Sequence, residues 1–494
     1  MGAIQFKNIP QGLVTPLFYA EVDNSFGNSA EPAQAALLIG SMAASGGVAT
    51  PAVVTPVNDQ NDARAQFGPG SMLSRMAAAY RRVDGFGQLF ALPLADAGGG
   101  ADATGSIAIT GPATAAGVLS LYVAGVLVPV TVNSGDSATT IGASVAAAIA
   151  ANSDLPVTAA AATGTVTLTA VNKGVAGNDI DVQLNYKGRA AGEITPAGVA
   201  ATITAMASGA TNPTITTALA NLGDTPFDYI ATGYNDSTSL TALTAFLNDV
   251  SGRWSYLSQL FGHWTAAFRG AYSAALTEGG TLNDQHGTMM PAAGSPSWTP
   301  EWAAAITAAE AVTDRANPGL PIRTMTLTGI LPPPIASRYS IAQQNALLTT
   351  GMSAFSVVNG QVVVAKLVTT YQKNAYGQPD NSYMNIETMF LLKYVIRRLK
   401  GVVTSRYGQV KLTSGGARVL PGSGVVTPSI IRADLIAEYR QMEAEGYVQN
   451  SAAFAQQLVV QQNATNPNRV DVLWPGTLAD LLDIFALQLQ FRLQ

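Results

Sequence analysis

Between residues 97 and 210 the chain changes character, and this change constrains the fold more than any other feature. On both sides of it, short apolar runs alternate with helix-forming segments, a pattern that predicts parallel strands joined by helices. Inside it, segments rich in Thr, Ala, Gly and Val, such as VLVPVTV and TVTLTAV, predict a small α+β module. We therefore predict a discontinuous α/β domain at 31–96 and 211–335 that is interrupted by an inserted module at 97–210.

Particular segments of this domain carry clear expectations. In the inserted module, Ser137 is the predicted N-cap of a helix with the sequence TTIGASVAAAIAA. In the α/β domain, FDYIATGY and RTMTLTGI predict strands, and a helix is predicted from Ser237 to Trp254. The fold class predicted from the whole chain is a multidomain α/β and α+β protein with a mainly parallel core sheet.

The regions that flank this domain predict an arm and a further domain. Residues 1–30 contain Pro10, Gly12 and Pro16, sustain no periodicity, and predict an extended N-terminal arm. Residues 336–469 predict a C-terminal α+β domain.

Local signals inside this C-terminal domain are strong. Asn359-Gly360 lies between two segments rich in β-branched residues and favours the type I′ turn of a hairpin. One helix is predicted from about Tyr383 to Lys400, ended by Gly401, and another from Thr427 to Gly446. The apolar stripe of the second helix consists of Ile431, Leu435, Tyr439 and Met442.

The charge balance restricts the partners. Charged residues make up 12% of the chain, about half of the usual ~25%. The net charge of −5 argues against a general nucleic-acid binder, and the low charge favours a surface that meets protein. No apolar run reaches the ~20 residues of a membrane helix, and no apolar run follows a basic start. We expect a soluble protein that inserts into no membrane and binds no nucleic acid.

Cysteine and histidine usage restricts the chemistry. The absence of cysteine excludes disulfides, thiol nucleophiles and iron–sulfur clusters. Two histidines, His263 and His286, cannot build a three-histidine metal site. The segment Gly85-Phe86-Gly87 lacks the third glycine of a dinucleotide-binding loop. We expect no metal and no cofactor.

One enzymatic alternative is a subtilisin-type protease. The HGT segment that begins at His286 matches the surroundings of the general base in subtilisin-type proteases, with Ser353 as the nucleophile and Asp284 or Asp249 as the third member. The motifs that flank the nucleophile and the acid in those enzymes are missing. A histidine in an ordinary turn is the simpler interpretation, and we expect no enzyme.

A basic segment offers a candidate contact surface. From Lys393 to Arg432 there are eight basic residues and no acidic one. Lys393, Arg397 and Lys400 are spaced i, i+4, i+7 and share one helix face. This face is either a solvated surface or a cationic strip that meets an acidic partner.

The C-terminal residues 470–494 predict a strand arm. Its last ten residues alternate apolar and mostly polar side chains, a period typical of a strand. The apolar positions are Phe485, Leu487, Leu489, Phe491 and Leu493. This strand either pairs within its own domain or adds to a sheet of a neighbouring chain.

Longer motifs resemble a known family. They are VTTYQKNAYGQPDNSYMNIET at 368–388, VIRRLKGVVTSRYGQVKL, VTPSIIRADLIAEY, RVDVLWPG and the terminal FALQLQFRLQ. In this order they resemble the tail sheath protein of Mu-type contractile bacteriophages. The inserted module, with NKGVAGNDIDVQLNY, and the segment IRTMTLTGILPPP look like the same family.

The resemblance implies a structural protein without catalytic residues. Its copies would stack as hexameric rings in a helical sheath around a tail tube, and the sheath would contract to drive the tube through the host envelope. The partners implied are the tube, baseplate and tail terminator proteins, and the location is the virion tail after assembly in the host bacterial cytoplasm. A contractile bacteriocin or a prophage remnant is the closest alternative, and a binding or adhesion module is a more distant one.

The resemblance also implies roles for particular residues. The arms would add strands to neighbouring subunits, through Ile4, Phe6 and Ile9 at one end and the C-terminal apolar positions at the other. The basic strip of Lys393, Arg397 and Lys400 would face the tube, and the inserted module would lie outermost. The α/β domain would have a subtilisin-like topology without its catalytic set.

Overall fold

A computed structural model describes residues 34–414, 419–420 and 423–492. The strands within these ranges are β1 (Ala36–Ser41), β2 (Thr55–Pro56), β3 (Leu89–Leu94), β4 (Asp102–Thr110), β5 (Gly117–Val123), β6 (Val126–Val132), β7 (Val157–Ala162), β8 (Thr165–Lys173), β9 (Val182–Leu184), β10 (Ala200–Ala207), β11 (Tyr229–Thr232), β12 (His263–Phe268), β13 (Gly287–Pro291), β14 (Ala354–Val358), β15 (Gln361–Lys366), β16 (Lys411–Leu412), β17 (Val425–Val426), β18 (Val448–Gln449), β19 (Val459–Gln462), β20 (Val470–Leu473) and β21 (Thr477–Leu478).

The helices of the same ranges are α1 (Gln60–Phe67), α2 (Met72–Val83), α3 (Ala138–Ala150), α4 (Thr216–Ala220), α5 (Ser237–Leu247), α6 (Tyr272–Thr281), α7 (Thr299–Ala316), α8 (Ile341–Thr349), α9 (Ile386–Tyr407), α10 (Pro428–Ala444) and α11 (Ser451–Gln457). Short 3₁₀ turns occur at Val175–Asp179, Arg189–Ala191 and Ile335–Ser337. The described residues form two compact units. The first comprises the residues up to Leu391 together with 481–492, and the second comprises 392–480.

The first unit is built on a six-stranded sheet in the order β13-β12-β11-β1-β3-β2. Its strands are parallel except β2, which lies antiparallel at the edge. All six residues of β1 are buried, as expected for a parallel strand covered on both faces. The prediction of a mainly parallel core sheet is confirmed.

Helices α2 and α7 pack against each other and against this sheet. Most of α7 is buried, because its alanines allow close approach of the neighbouring elements. A buried ion pair joins the two helices, from the Arg75 guanidinium to the Glu301 carboxylate. Burial raises the pKa of Glu301, and the nearby Arg75 charge offsets part of that shift.

The inserted module has two sheets of its own, in the orders β10-β4-β8-β7 and β6-β5-β9, with α3 packed on them. Ser137 caps α3 as predicted, since its Oγ accepts from the Thr140 N–H at 3.2 Å. The module is fastened to the parallel core. Asn172 accepts from the Met72 N–H at 2.9 Å and donates to the Met42 carbonyl at 2.7 Å.

The second unit has its own small core around α10. The predicted stripe is confirmed, because Ile431, Leu435, Tyr439 and Met442 are all buried. The Tyr439 ring stacks on Phe454 with centroids 3.7 Å apart. Its hydroxyl donates to the Gln449 carbonyl at 2.6 Å, which ties α10 to β18.

The predicted hairpin is confirmed, with β14 and β15 joined by Asn359 at φ 52° and Gly360 at φ 76°. Three other expectations were wrong. Helix α9 continues through Gly401 to Tyr407. Helix α5 ends at Leu247, where the Asn248 side chain accepts from the N–H groups of the following turn. The segment RTMTLTGI is irregular, since φ at Thr324 is 59° and only an isolated bridge forms there.

Candidate inter-subunit surfaces

The C-terminal segment leaves the first unit with its apolar side chains exposed. After Asp483, the described residues up to 492 form no strand or helix. Phe485, Leu487, Leu489 and Phe491 are 75–81% exposed. Within the described chain this segment therefore does not pair with its own domain. An alternating strand sequence left in this state is typical of a segment that binds another chain.

The start of this segment is fixed to the first unit. Lys366, at the end of β15, donates from Nζ to the Asp483 carboxylate. The Arg323 guanidinium donates to the Asp483 carbonyl at 3.1 Å and to the Leu482 carbonyl. We call these three residues, Arg323, Lys366 and Asp483, the C-terminal clasp. Sequence reasoning missed the clasp, and its only signal was an acidic residue just before the alternating positions.

A two-stranded sheet in the second unit presents unpaired edges. Strands β19 and β20 are antiparallel, with Val460 opposite Val472. In the described residues neither strand has a second neighbour. Val459, Val472 and Leu473 are 45%, 44% and 65% exposed. A sheet of two strands is marginal alone, and its free backbone groups suit the addition of a further strand.

The basic strip on α9 is only partly at a surface. Lys400 is exposed and Arg397 is half-buried, but Lys393 is only 2% exposed. The expectation that Lys393 forms part of an exposed strip is therefore corrected, since its charge is covered by protein in the single chain. The i, i+4, i+7 spacing places these residues on one face, but spacing alone does not show how much of that face is covered.

Arg398 lies on another face of α9 and has a different role. Its Nε donates to Glu438 at 2.6 Å, and its guanidinium also contacts Glu445 and the Tyr394 hydroxyl. The hydrogen bond from Arg398 lowers the pKa of Glu445. These contacts join α9 to α10 inside the second unit.

The residues of the protease alternative do not assemble into a catalytic triad. His286 Nε2 lies 3.1 Å from Asp249, and its ring stacks on Trp254. Ser353 Oγ instead accepts from the Val368 N–H at 3.0 Å. Asp284 accepts from Trp264 Nε1 at 2.8 Å. Among the residues that the structure describes, no group of three or more acidic or histidine side chains could hold a metal ion.

Four of the predicted arm residues lie outside the described residues. They are Ile4, Phe6 and Ile9 of the N-terminal arm and Leu493 of the C-terminal segment. No helix in the described ranges is long and apolar enough to cross a membrane.

Comparison with known proteins decides the family. A model described as the phage tail sheath protein central domain matches residues 208–370, and one described as the phage tail sheath C-terminal domain matches 378–492. Over 494 residues the chain is 36% identical to the Mu-like prophage FluMu tail sheath protein of Haemophilus influenzae, covering 99% of this chain and 100% of that protein. The chain belongs to the phage tail sheath family. The resemblance to Mu-type sheath proteins is confirmed.

Solved structures of sheath tail proteins are also similar to this one. The protein from Desulfitobacterium hafniense has a TM-score of 0.48 and 14% identity, and the match covers 95% of this chain and 97% of that chain. A protein from Listeria innocua has a TM-score of 0.47 and 11% identity, and the match covers 92% of this chain and 93% of that chain. As a member of the tail sheath family, the chain is a structural subunit of a phage tail.

Proposed function

We propose that this sheath protein polymerises as hexameric rings stacked helically around a tail tube, and that contraction of this sheath drives the tube through the host envelope. The observation that carries the proposal is the exposed C-terminal segment, which has a strand sequence and no partner strand in its own described chain. The tube, baseplate and tail terminator proteins are the proposed partners. The proposed location is the virion tail, after assembly in the host bacterial cytoplasm.

The C-terminal segment is the proposed donor strand, and the β19–β20 sheet of a neighbouring subunit is the proposed acceptor. Burial of each large apolar side chain of this strand would stabilise the contact by about 1.5–3 kcal/mol, before the cost of ordering the segment. These side chains are Phe485, Leu487, Leu489 and Phe491. Alternation supports this choice, because one face of the added strand would be apolar and the other polar. The N-terminal arm, with Ile4, Phe6 and Ile9, is proposed as a second donor.

The C-terminal clasp gives the proposed exchange a mechanical role. Lys366 and Arg323 bind Asp483 at the start of the donor strand. A force on that strand would therefore act directly on the first unit and not on a flexible linker. Exchanged strands would keep subunits connected while the subunit bodies rotate. Rigid-body rotation about retained contacts is a known way to switch between two packings.

The tube-facing surface is proposed on helix α9. Lys400, which is exposed, would make the main contact, and the half-buried Arg397 would extend it. A cationic surface would hold an acidic tube by complementary charge. The inserted module is proposed to lie outermost.

The test of strand exchange is a truncation that removes residues 485–494. We expect this variant to stay folded by circular dichroism but to form no tubes in negative-stain electron micrographs. A matched pair of full-length variants separates sequence from length. One variant combines Phe485→Ser, Leu487→Ser, Leu489→Ser and Phe491→Ser and should form no tubes. The other combines Gln488→Ser and Gln490→Ser and should form tubes normally. Normal tubes from the truncated protein would refute strand exchange.

A further inference from the structure

The turn between β14 and β15 contains a chemically labile pair of residues. Asn359-Gly360 is the only place in the chain where glycine follows asparagine. Asparagine is among the least heat-stable residues of proteins, and its side-chain amide is attacked fastest where the next residue has no side chain to hinder the approach. Whether such a pair reacts depends on its exposure and on what binds its reacting groups.

The reacting groups of this turn are open to water. Asn359 and Gly360 are both exposed, as are Val358 before them and Gln361 after them. A β-carbon placed on Gly360 would meet no atom within 4 Å, so nothing packs over the main chain there. Within the described ranges, the Gly360 N–H donates to no main-chain carbonyl outside the strand ladder. The nitrogen of Gly360 is therefore available to react.

We infer that Asn359 is a site of spontaneous covalent modification, at which the asparagine is converted to aspartate and isoaspartate without an enzyme. The Gly360 nitrogen bonds to Cγ of Asn359 and gives up its proton, and the side-chain nitrogen leaves as ammonia. Water then opens the resulting succinimide ring at one of its two carbonyls. Hydrolysis at Cγ leaves aspartate, and hydrolysis at the main-chain carbonyl leaves isoaspartate.

Both products change the hairpin. Each adds a negative charge to a turn that carries none, and isoaspartate also adds one carbon to the main chain. A two-residue type I′ turn fixes the register of its strands, so a longer main chain disturbs the pairing of Val358 with Gln361. Strand β15 ends at Lys366, so this hairpin leads directly into the C-terminal clasp. The inference concerns the single chain and does not depend on the proposed function.

A second asparagine gives a matched comparison inside the same chain. Asn450 is also exposed and also has a positive φ, 63° against 52° at Asn359. It is followed by Ser451, whose N–H donates to Glu443 Oε1 at 2.8 Å. Both the serine side chain and this hydrogen bond hinder attack by the Ser451 nitrogen. Asn450 should therefore be stable under conditions in which Asn359 is not.

The Asp84-Gly85 pair shows what a fixed side chain does to the same chemistry. Aspartate closes the same ring with loss of water, but only from its neutral acid form. The Asp84 carboxylate accepts from the Gly87 N–H at 2.9 Å and from the Tyr80 hydroxyl at 2.8 Å. Burial opposes its ionisation, but the hydrogen bonds from Arg315 and Tyr80 outweigh it and lower the pKa of Asp84. An ionised carboxylate held in this way should stay unmodified.

Peptide mapping of the full-length natural chain tests the inference. The purified protein is incubated at mildly alkaline pH, below its unfolding temperature, and samples taken over time are digested and analysed by mass spectrometry. An isoaspartate-specific methyltransferase detects isoaspartate independently. Asn359→Asp supplies the reference peptide for the aspartate product. Asn359→Gln is the control variant, because glutamine cannot close the same five-membered ring.

We expect Asn359 to be lost at least about tenfold faster than Asn450, with isoaspartate as the larger product and with Asp84 unchanged. Equal rates of loss at the two asparagines would overturn the inference. Aspartate at position 359 without isoaspartate would also overturn it, since the succinimide route gives both. A methyltransferase signal of the same size in Asn359→Gln would place the modification elsewhere and overturn it too. Because no assembled tube is needed, failure of the proposed function would leave this result unaffected.

Discussion

Lys366 donates from Nζ to the carboxylate of Asp483, and this contact fixes the point at which the exposed C-terminal segment begins. The two residues are 117 positions apart in the sequence. Arg323 binds the main chain of the same turn, so both the side chain and the backbone of the segment are held. A donor strand that leaves from a fixed point can transmit force to the body of its subunit.

We predict that Asp483→Ala lowers assembly more than it lowers stability. Both partners are partly exposed, so the pair should contribute at most about 1 kcal/mol to folding. The midpoint of thermal unfolding should shift by only a few degrees, whereas the critical concentration for tube formation should rise several-fold. Sedimentation of assembled tubes measures the second quantity.

The control for this prediction is Asp154→Ala, which removes the partner of Arg64 in another partly exposed ion pair, away from the proposed donor and acceptor strands. If Asp154→Ala raises the critical concentration as much as Asp483→Ala does, loss of a surface charge explains the effect. A special role of the clasp would then be refuted.

Local signals of the sequence predicted local structure well. The Asn359-Gly360 turn, the Ser137 cap and the stripe on α10 each depend on residues within a few positions of one another. The partners of Asp483 are distant from it in sequence, and no periodicity reports them. Periodicity likewise does not report that Lys393 is buried. Thr324 shows the same limit, because alternation predicted a strand where only one isolated bridge to β15 forms nearby.

We predict that Glu301→Ala destabilises the first unit by about 3–5 kcal/mol, because it leaves the buried Arg75 charge without its carboxylate. Replacing both residues with apolar ones, as Arg75→Met with Glu301→Leu, should recover part of that loss. Urea unfolding followed by tryptophan fluorescence measures the change, since Trp298 and Trp302 flank Glu301 and are buried. Arg64→Met, which breaks a more exposed pair with Asp154, is the control and should cost less than about 1 kcal/mol.

Asp84 should give the first unit a part of its acid sensitivity. Burial opposes ionisation of Asp84, but the hydrogen bonds from Arg315 and Tyr80 outweigh it and lower its pKa. Its stabilising contribution is therefore present above the unfolded pKa of about 3.9 and is lost as the pH falls through the lower folded value. Asp84→Asn should lower stability at neutral pH by about 1–3 kcal/mol and flatten the loss of stability below pH 4.

The control for Asp84 lies in the same loop. Phe86→Ala keeps the carboxylate and its donors, so its unfolding free energy should depend on pH as in the natural protein. An Asp84→Asn variant with the acid dependence of the natural protein would show that this carboxylate carries none of it. Denaturant unfolding at a series of pH values between 3 and 7 makes the comparison.

Lys400→Glu should weaken attachment to the tail tube without changing the fold. Lys400 is exposed in the C-terminal half of α9, so reversing its charge leaves the core of the second unit intact. At low ionic strength we expect several-fold less sheath to sediment with the tube, and the difference should shrink as salt screens the contact. Lys393 is unsuitable for this test, because a carboxylate at a position only 2% exposed would destabilise the domain itself.

The matched control for Lys400→Glu is Arg440→Glu, which reverses an exposed charge on α10. Equal loss of tube binding in both variants would mean that net charge, and not the surface of α9, governs the attachment.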